Sequence, residues 1–286
     1  MQTDEHETLD DATVTEILTR GELEVEGRLV AASNASFLGQ VSLTGIALAC
    51  IYKPVAGERP LWDFPSGTLA GREVSARLVS DAGGFGVVPP TVLRDGRFGV
   101  GMCQQWIQSD PDPAAAGDAV GAPDGLEALD LVDLVPSDFR DPGWIAVLEA
   151  EDNHDRPVLL VHADDDRLRT MAVLDAVINN ADRKGGHVLR GPDGSVYGCD
   201  HGVSFHEEPK LRTVLWGWAG DRLRDIDREM LRELRARCRS GLDDVLDRHL
   251  SRVEVNALAY RVEKLLQDDV MPRPEGHWPM IPWPAF

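Results

Sequence analysis

The chain has 286 residues, with 49 acidic against 29 basic side chains, a formal net charge of −20 and a pI near 4.7. Such a surplus of acid disfavours nucleic acid and anionic membrane surfaces as partners, because both are bound with surplus Lys and Arg. The length permits a full hydrophobic core, and two lobes are expected.

Residues 1–20 read as an acidic N-terminal tail in which Thr13 to Arg20 has helical spacing. No Lys or Arg precedes Arg20, and no long apolar run occurs there. A signal or transit peptide is therefore not expected, and a cytoplasmic placement is. From Gly21 the pattern changes to period two through Leu23, Val25, Leu29 and Val30, which predicts a strand. Two more strands follow, Phe37 to Leu43 and Ile46 to Tyr52, joined by a tight Thr44-Gly45 turn. Between the first two lies Ala32-Ser33-Asn34-Ala35-Ser36, either an ordinary hairpin turn or a place where backbone N–H groups approach a phosphate. The apolar strand IALACIY ends in Lys53-Pro54, a way of pointing an ammonium into a cleft. Thr68 to Ser80 reads as a helix with Leu69, Val74, Leu78 and Val79 apolar. Glu73, in the middle of that helix, and Glu58 are the two candidate partners for Lys53. Strands at Val87 to Thr91 and Phe98 to Ile107 complete a β-rich segment over 21–108. An acidic, proline-broken stretch over 109–138 reads as a linker or insertion.

The segment 139–286 opens with a hairpin, Ile145 to Glu151 and Pro157 to His162, and a helix from Arg167 to Ile178. Asn179-Asn180 then breaks the helical period, and Asp182-Arg183-Lys184-Gly185-Gly186-His187 emerges as a loop. A second hairpin, His187 to Arg190 and Ser195 to Gly198, turns at Gly191-Pro192-Asp193-Gly194 and delivers Asp200-His201-Gly202. A hairpin brings its outer ends together, so Asp182, His187 and Asp200 are expected to share one site. Carboxylates converging there need a cation between them, and a metal bound to phosphate is the expected occupant. Lys210 and Arg212, in the polar stretch that follows, are either substrate contacts or part of an exposed loop. Trp216 and Trp218 read as core anchors. Residues 222–266 have helical spacing, and the acids interleaved among their arginines make a solvated, salt-bridged face. Pro272 to Phe286, rich in Pro and Trp, is expected to lie across the surface.

The ordered set Asp182-Arg183, His187, hairpin and Asp200-x-Gly202 resembles the phosphatidylinositol 3-/4-kinase-like superfamily. It is similar in particular to a bacterial branch with Asn-Asn-Ala-Asp-Arg-Lys-Gly-Gly-His in this loop. The resemblance spans roughly residues 30 to 215 and is strongest over 179–202. It implies an α+β, two-lobed protein-kinase-like fold, with a small β-rich N-lobe and a larger, mostly helical C-lobe. It also implies ATP with Mg2+ or Mn2+ and transfer of the terminal phosphoryl group to a hydroxyl. In that scheme Asp182 receives the acceptor proton, Lys53, held by Glu73, orients the phosphates, and His187 and Asp200 hold the metal. Arg183 or Lys184 would offset charge on the transferring group. Ser33, Asn34 and Ser36 would line the phosphates, and Gln104, Gln105, Trp106 and Ile107 would form the connector at the adenine edge. The superfamily usually has Asn at the position of His187; imidazole is a poor ligand for magnesium and a fair one for manganese. A protein or soluble acceptor is favoured over a lipid. Transfer of AMP and a nucleotide-sensing module that has lost metal chemistry are the rival readings. No apolar run is long enough for a membrane span. Cys50, Cys103, Cys199 and Cys238 lack the spacing of a zinc site or a disulfide framework. Cys199 is expected to fill space, with reaction toward a modifier as the alternative.

Overall fold

The computed structural model describes residues 9–29, 34–108, 130–152, 154–191, 194–275 and 279–286. Two regions of regular structure follow one another along the chain. The first is a five-stranded antiparallel sheet of β1 (Glu22–Arg28), β2 (Phe37–Leu43), β3 (Ile46–Pro54), β4 (Thr91–Gly96) and β5 (Gly99–Gln105), in the order β1-β2-β3-β5-β4. Register is set by tight turns. Leu43 pairs with Ile46 across Thr44-Gly45, where both turn residues have positive φ, the backbone twist that suits a two-residue hairpin.

Residues expected as tail prove to be part of this region. Helix α1 (Asp11–Arg20), capped by the Asp10 side chain on the Thr13 amide, buries Val14, Ile17 and Leu18. These pack with Val41, Cys50 and Cys103 of the sheet. Helix α2 (Leu69–Gly83) starts where Thr68 accepts from the Gly71 amide and stops at Gly84, whose φ of 72° suits glycine. Val87 and Val88, expected in a strand, instead form a buried approach to β4.

The second region is mostly helical. Residues 132–136, expected within the linker, form β6 (Val132–Pro136), which joins β7 (Trp144–Glu151) and β8 (Pro157–Ala163) in the order β6-β8-β7. Its acid-rich flank hid a short apolar strand that buries Val132 and Val135 in two different clusters. Helix α3 (Asp166–Ile178) leads into the hairpin β9 (Val188–Arg190) and β10 (Val196–Gly198). Then come α4 (Asp225–Arg237), a short α5 (Asp243–Leu246) and α6 (Arg252–Asp268). One hydrophobic cluster runs from Ala76 and Val79 of α2 through Met171 and Leu174 of α3 to Leu231 of α4 and Leu258 of α6. Helix α2 therefore belongs to the same core as the second region. Among the described residues no helix is long and apolar enough to cross a membrane.

Candidate active site

Strand β3 delivers Lys53 and helix α2 delivers Glu73, and the Lys53 Nζ lies 2.9 Å from the Glu73 Oε1. The same ammonium donates to the Asp200 Oδ1. Burial opposes the charge on Lys53, but the Glu73 and Asp200 carboxylates outweigh it and hold the lysine protonated, above its ordinary range. Glu58 is taken elsewhere: its two oxygens accept from the Leu69 and Ala70 amides, 2.9 and 2.8 Å away, at the start of α2. A carboxylate there suits the positive end of the helix.

Asp200 is reached through the β9–β10 hairpin and sits at φ 57°, a conformation that non-glycine residues adopt at a cost and that concentrates at functional sites. Burial would raise its carboxyl, but Lys53 holds it far below the usual carboxylate range. The His201 amide donates to the Glu73 Oε2 at 2.8 Å, so the turn carrying Asp200 is tied directly to α2.

The His187 Nδ1 donates to the Asp182 carbonyl at 2.9 Å, which leaves Nε2 as the free lone pair of a neutral ring. Burial, reinforced by Arg183 and Lys184 against the pull of Asp200, pushes its pKa down to about 4. The Nε2 faces the Asp200 Oδ2 at 3.4 Å. Two acceptors face each other across that gap, so it suits a cation. Among the described residues no set of three or more His, Cys, Asp or Glu side chains gathers around a metal position. Two protein ligands with phosphate oxygens and water in the remaining positions is the usual arrangement when a metal travels with a nucleotide.

Asp182 projects beside this pair. Burial and Asp200 raise its pKa, against Lys184 and Arg212, which lower it. The Lys184 Nζ stands 3.7 Å from the Asp182 Oδ2. Arg183 has another place than the one expected. It is fully buried, and its Nε and Nη2 each lie 2.9 Å from an Asp175 oxygen. Nη1 donates to the carbonyls of His187 and Cys199, and Nη2 to the His201 Nε2 at 2.8 Å. A guanidinium committed in this way cannot meet a phosphoryl group. It fastens both ends of the hairpin to α3, so of the expected pair only Lys184 is placed to offset charge.

Asn179 closes α3 at φ 54° and accepts from the Lys210 amide, while the Asn180 Oδ1 accepts from the Asp182 amide. Lys210 is buried and meets the Asp63 Oδ2 at 3.0 Å, so it is not presented to an acceptor. Arg212 is closer to the chemistry: its Nε donates to the Ala181 carbonyl, next to Asp182. Burial pushes the Cys199 thiol up to about 12, which favours its reading as a space-filler.

The expected nucleotide contacts are placed less directly. Ser33 lies outside the described residues. The Asn34 side chain accepts from the Arg59 amide, which ties this turn to the segment after β3, and Ser36 is buried. Gln104 is buried and donates to the Thr91 hydroxyl, and the Trp106 amide donates to the Ala49 carbonyl. Gln105, Trp106 and Ile107 end the sheet at partly open positions.

Asp175 and His201 were not singled out from the sequence. A signal for Asp175 existed, since a single acid within the apolar run VLDAVI implies a buried cation partner.

No protein-family model matches the chain. Protein Rv2133c of Mycobacterium tuberculosis is 52% identical over 270 residues, which cover 94% of each chain. Among solved structures, the Golgi casein kinase superposes with a TM-score of 0.51 at 12% identity, covering 94% of this chain and 75% of that one. The Helicobacter pylori proinflammatory kinase CtkA gives a TM-score of 0.41 at 10% identity, over 89% and 94% of the two chains. The likeness to the Golgi casein kinase shows a kinase-like α+β fold.

Proposed function

The chain belongs to the family of Protein Rv2133c of Mycobacterium tuberculosis, and we propose that it is an ATP-dependent phosphotransferase of the phosphatidylinositol 3-/4-kinase-like type. The observation that carries this reading is the convergence of Lys53, Glu73, the Asp182–His187 loop and Asp200 from four separate stretches of a kinase fold. Segment 21–108 would hold the nucleotide and segment 139–286 the catalytic groups. The acceptor is a hydroxyl on a protein, this chain included, or on a soluble or lipid inositol-type molecule. The acidic surface favours the first two, acting in the cytoplasm.

His187 and Asp200 would hold Mg2+ or Mn2+, which supplies charge neutralisation at the phosphates. Lys53, now spanning Glu73 and Asp200, is placed to exchange Asp200 for phosphate oxygens while Glu73 keeps it in position. Asp182 takes the proton as the acceptor oxygen bonds to the terminal phosphorus and the bond to the leaving ADP breaks. Its raised pKa suits a base that must accept a proton and release it. Lys184 offsets charge on the group in transit. Most of the rate in such a reaction comes from positioning and electrostatics.

The test is the intact mass of the protein after incubation with ATP and either metal, with Asp182→Asn in parallel. A phosphoryl increment is expected in the wild type, slowed at least about a hundredfold in the variant, the scale of a lost general base. An adenylyl increment would instead assign AMP transfer. ATP that failed to raise the melting temperature with either metal would overturn the nucleotide site.

A further inference from the structure

Segment 279–286 does more than lie on the surface. The Met280 carbonyl accepts from the Thr213 amide at 3.2 Å and from the Trp216 Nε1 at 2.7 Å. Ile281 and Ala285 pack against the main hydrophobic core. The Ala285 carbonyl then accepts from the Gly185 amide at 2.8 Å. The Phe286 ring lies so close over Gly185 that a Cβ there would come within 2.2 Å of the ring edge. Gly185 is thereby buried, whereas its neighbour Gly186 is exposed. The contact falls on the turn Gly185–His187, between the Asp182 base and the imidazole that faces Asp200.

A turn with two adjacent glycines has little side-chain packing of its own and much backbone freedom to lose. Phe286 supplies the missing packing from outside the loop. Because the His187 amide and ring are both bonded within 182–187, a shift of the turn would move the imidazole relative to Asp200. Groups behind a ligand that fix its orientation commonly matter about 10–100-fold for metal affinity.

We propose that Ala285 and Phe286 are positioning residues of the active site, which hold the Gly185–His187 turn so that His187 and Asp200 meet one divalent ion. The pairing also accounts for glycine at 185, since the ring occupies the space of its side chain. The inference rests on the phosphotransferase reading of the site.

The experiment uses the full chain as wild type, Phe286→Ala, Phe286→Leu, Gly185→Ala and the double variant Gly185→Ala/Phe286→Ala. The rise in melting temperature is followed at fixed ATP as Mn2+ is titrated, with the metal-free melting temperature as the control for folding. Phe286→Ala should raise the Mn2+ midpoint about tenfold or more. It should leave the metal-free melting temperature near wild type, because 47% of Phe286 is already exposed. Phe286→Leu should recover most of the affinity. Gly185→Ala should weaken metal binding by itself yet add little in the Phe286→Ala background, where the space is vacant. A wild-type Mn2+ midpoint in Phe286→Ala, or additive effects of the two substitutions, would overturn this inference alone. A wild type with no ATP-dependent stabilisation in either metal would overturn the phosphotransferase reading, and the inference with it.

Discussion

His187 offers a lone pair to the site at neutral pH, because its Nδ1 proton is committed to a carbonyl and its pKa lies near 4. A neutral nitrogen suits manganese better than magnesium, which prefers oxygen. His187→Asn would put an amide oxygen in its place. The ratio of activity in Mg2+ to activity in Mn2+, measured at equal ATP, should rise by about tenfold, a change of ~1.4 kcal/mol in relative metal preference. An unchanged ratio would show that His187 does not touch the metal. At this scale the sequence was legible wherever a residue's partner is set by a hairpin: Asp182, His187 and Asp200 meet because their chain segments must. It was illegible where burial decides the role. Arg183 reads as a free cation beside a base, and only the fold shows it sealed between Asp175 and the carbonyls of His187 and Cys199.

Helix α2 carries Glu73, so the geometry of the Lys53 pair is only as firm as the placement of that helix. The placement is unusually polar. The fully buried Arg72 donates to the Ser204 carbonyl and pairs with the buried Glu254 of α6, while Arg77 reaches the Val88 carbonyl, Asp81 and Asp11. Such pairs cost much to desolvate and more to break, because the remaining charge stays buried without a partner. Glu254→Gln should therefore lower unfolding stability by about 3–5 kcal/mol, read from urea denaturation. It should also shrink the stabilisation conferred by ATP, as α2 loses its hold on Glu73. A variant that is destabilised but keeps the full ATP effect would detach α2 placement from the nucleotide site. The period of TLAGREVSARLVS marks the helix clearly. Its surroundings were hidden, because Arg72, Glu73 and Arg77 have the look of a solvated face and meet partners far along the chain. β6 was obscured in the opposite way, by an acidic approach that made its first apolar residues look like part of a linker.

The two regions expected as separate lobes share their main core. Val79 and Phe85 from the sheet's side of the chain lie in one cluster with α3, α4 and α6, whereas the cluster beneath α1 is small. Composition alone could not reveal this, since a boundary is read from linkers and the shared surface is assembled from residues on both sides of one. A domain held only by its own minor core would melt by itself. Here the sheet is joined to α2, α2 to the helices, and Lys53 to Asp200, so a single transition is expected. The check is urea unfolding of two variants that retain one tryptophan each. Trp106 reports from the end of β5, and Trp218 from the helical core. Coincident midpoints and slopes would establish one cooperative unit. A lower midpoint at Trp106 would mean that the sheet opens independently. On the proposed reading, in which a nucleotide would bridge Lys53 and Asp200, ATP should in that case raise the Trp106 midpoint much more than the Trp218 midpoint.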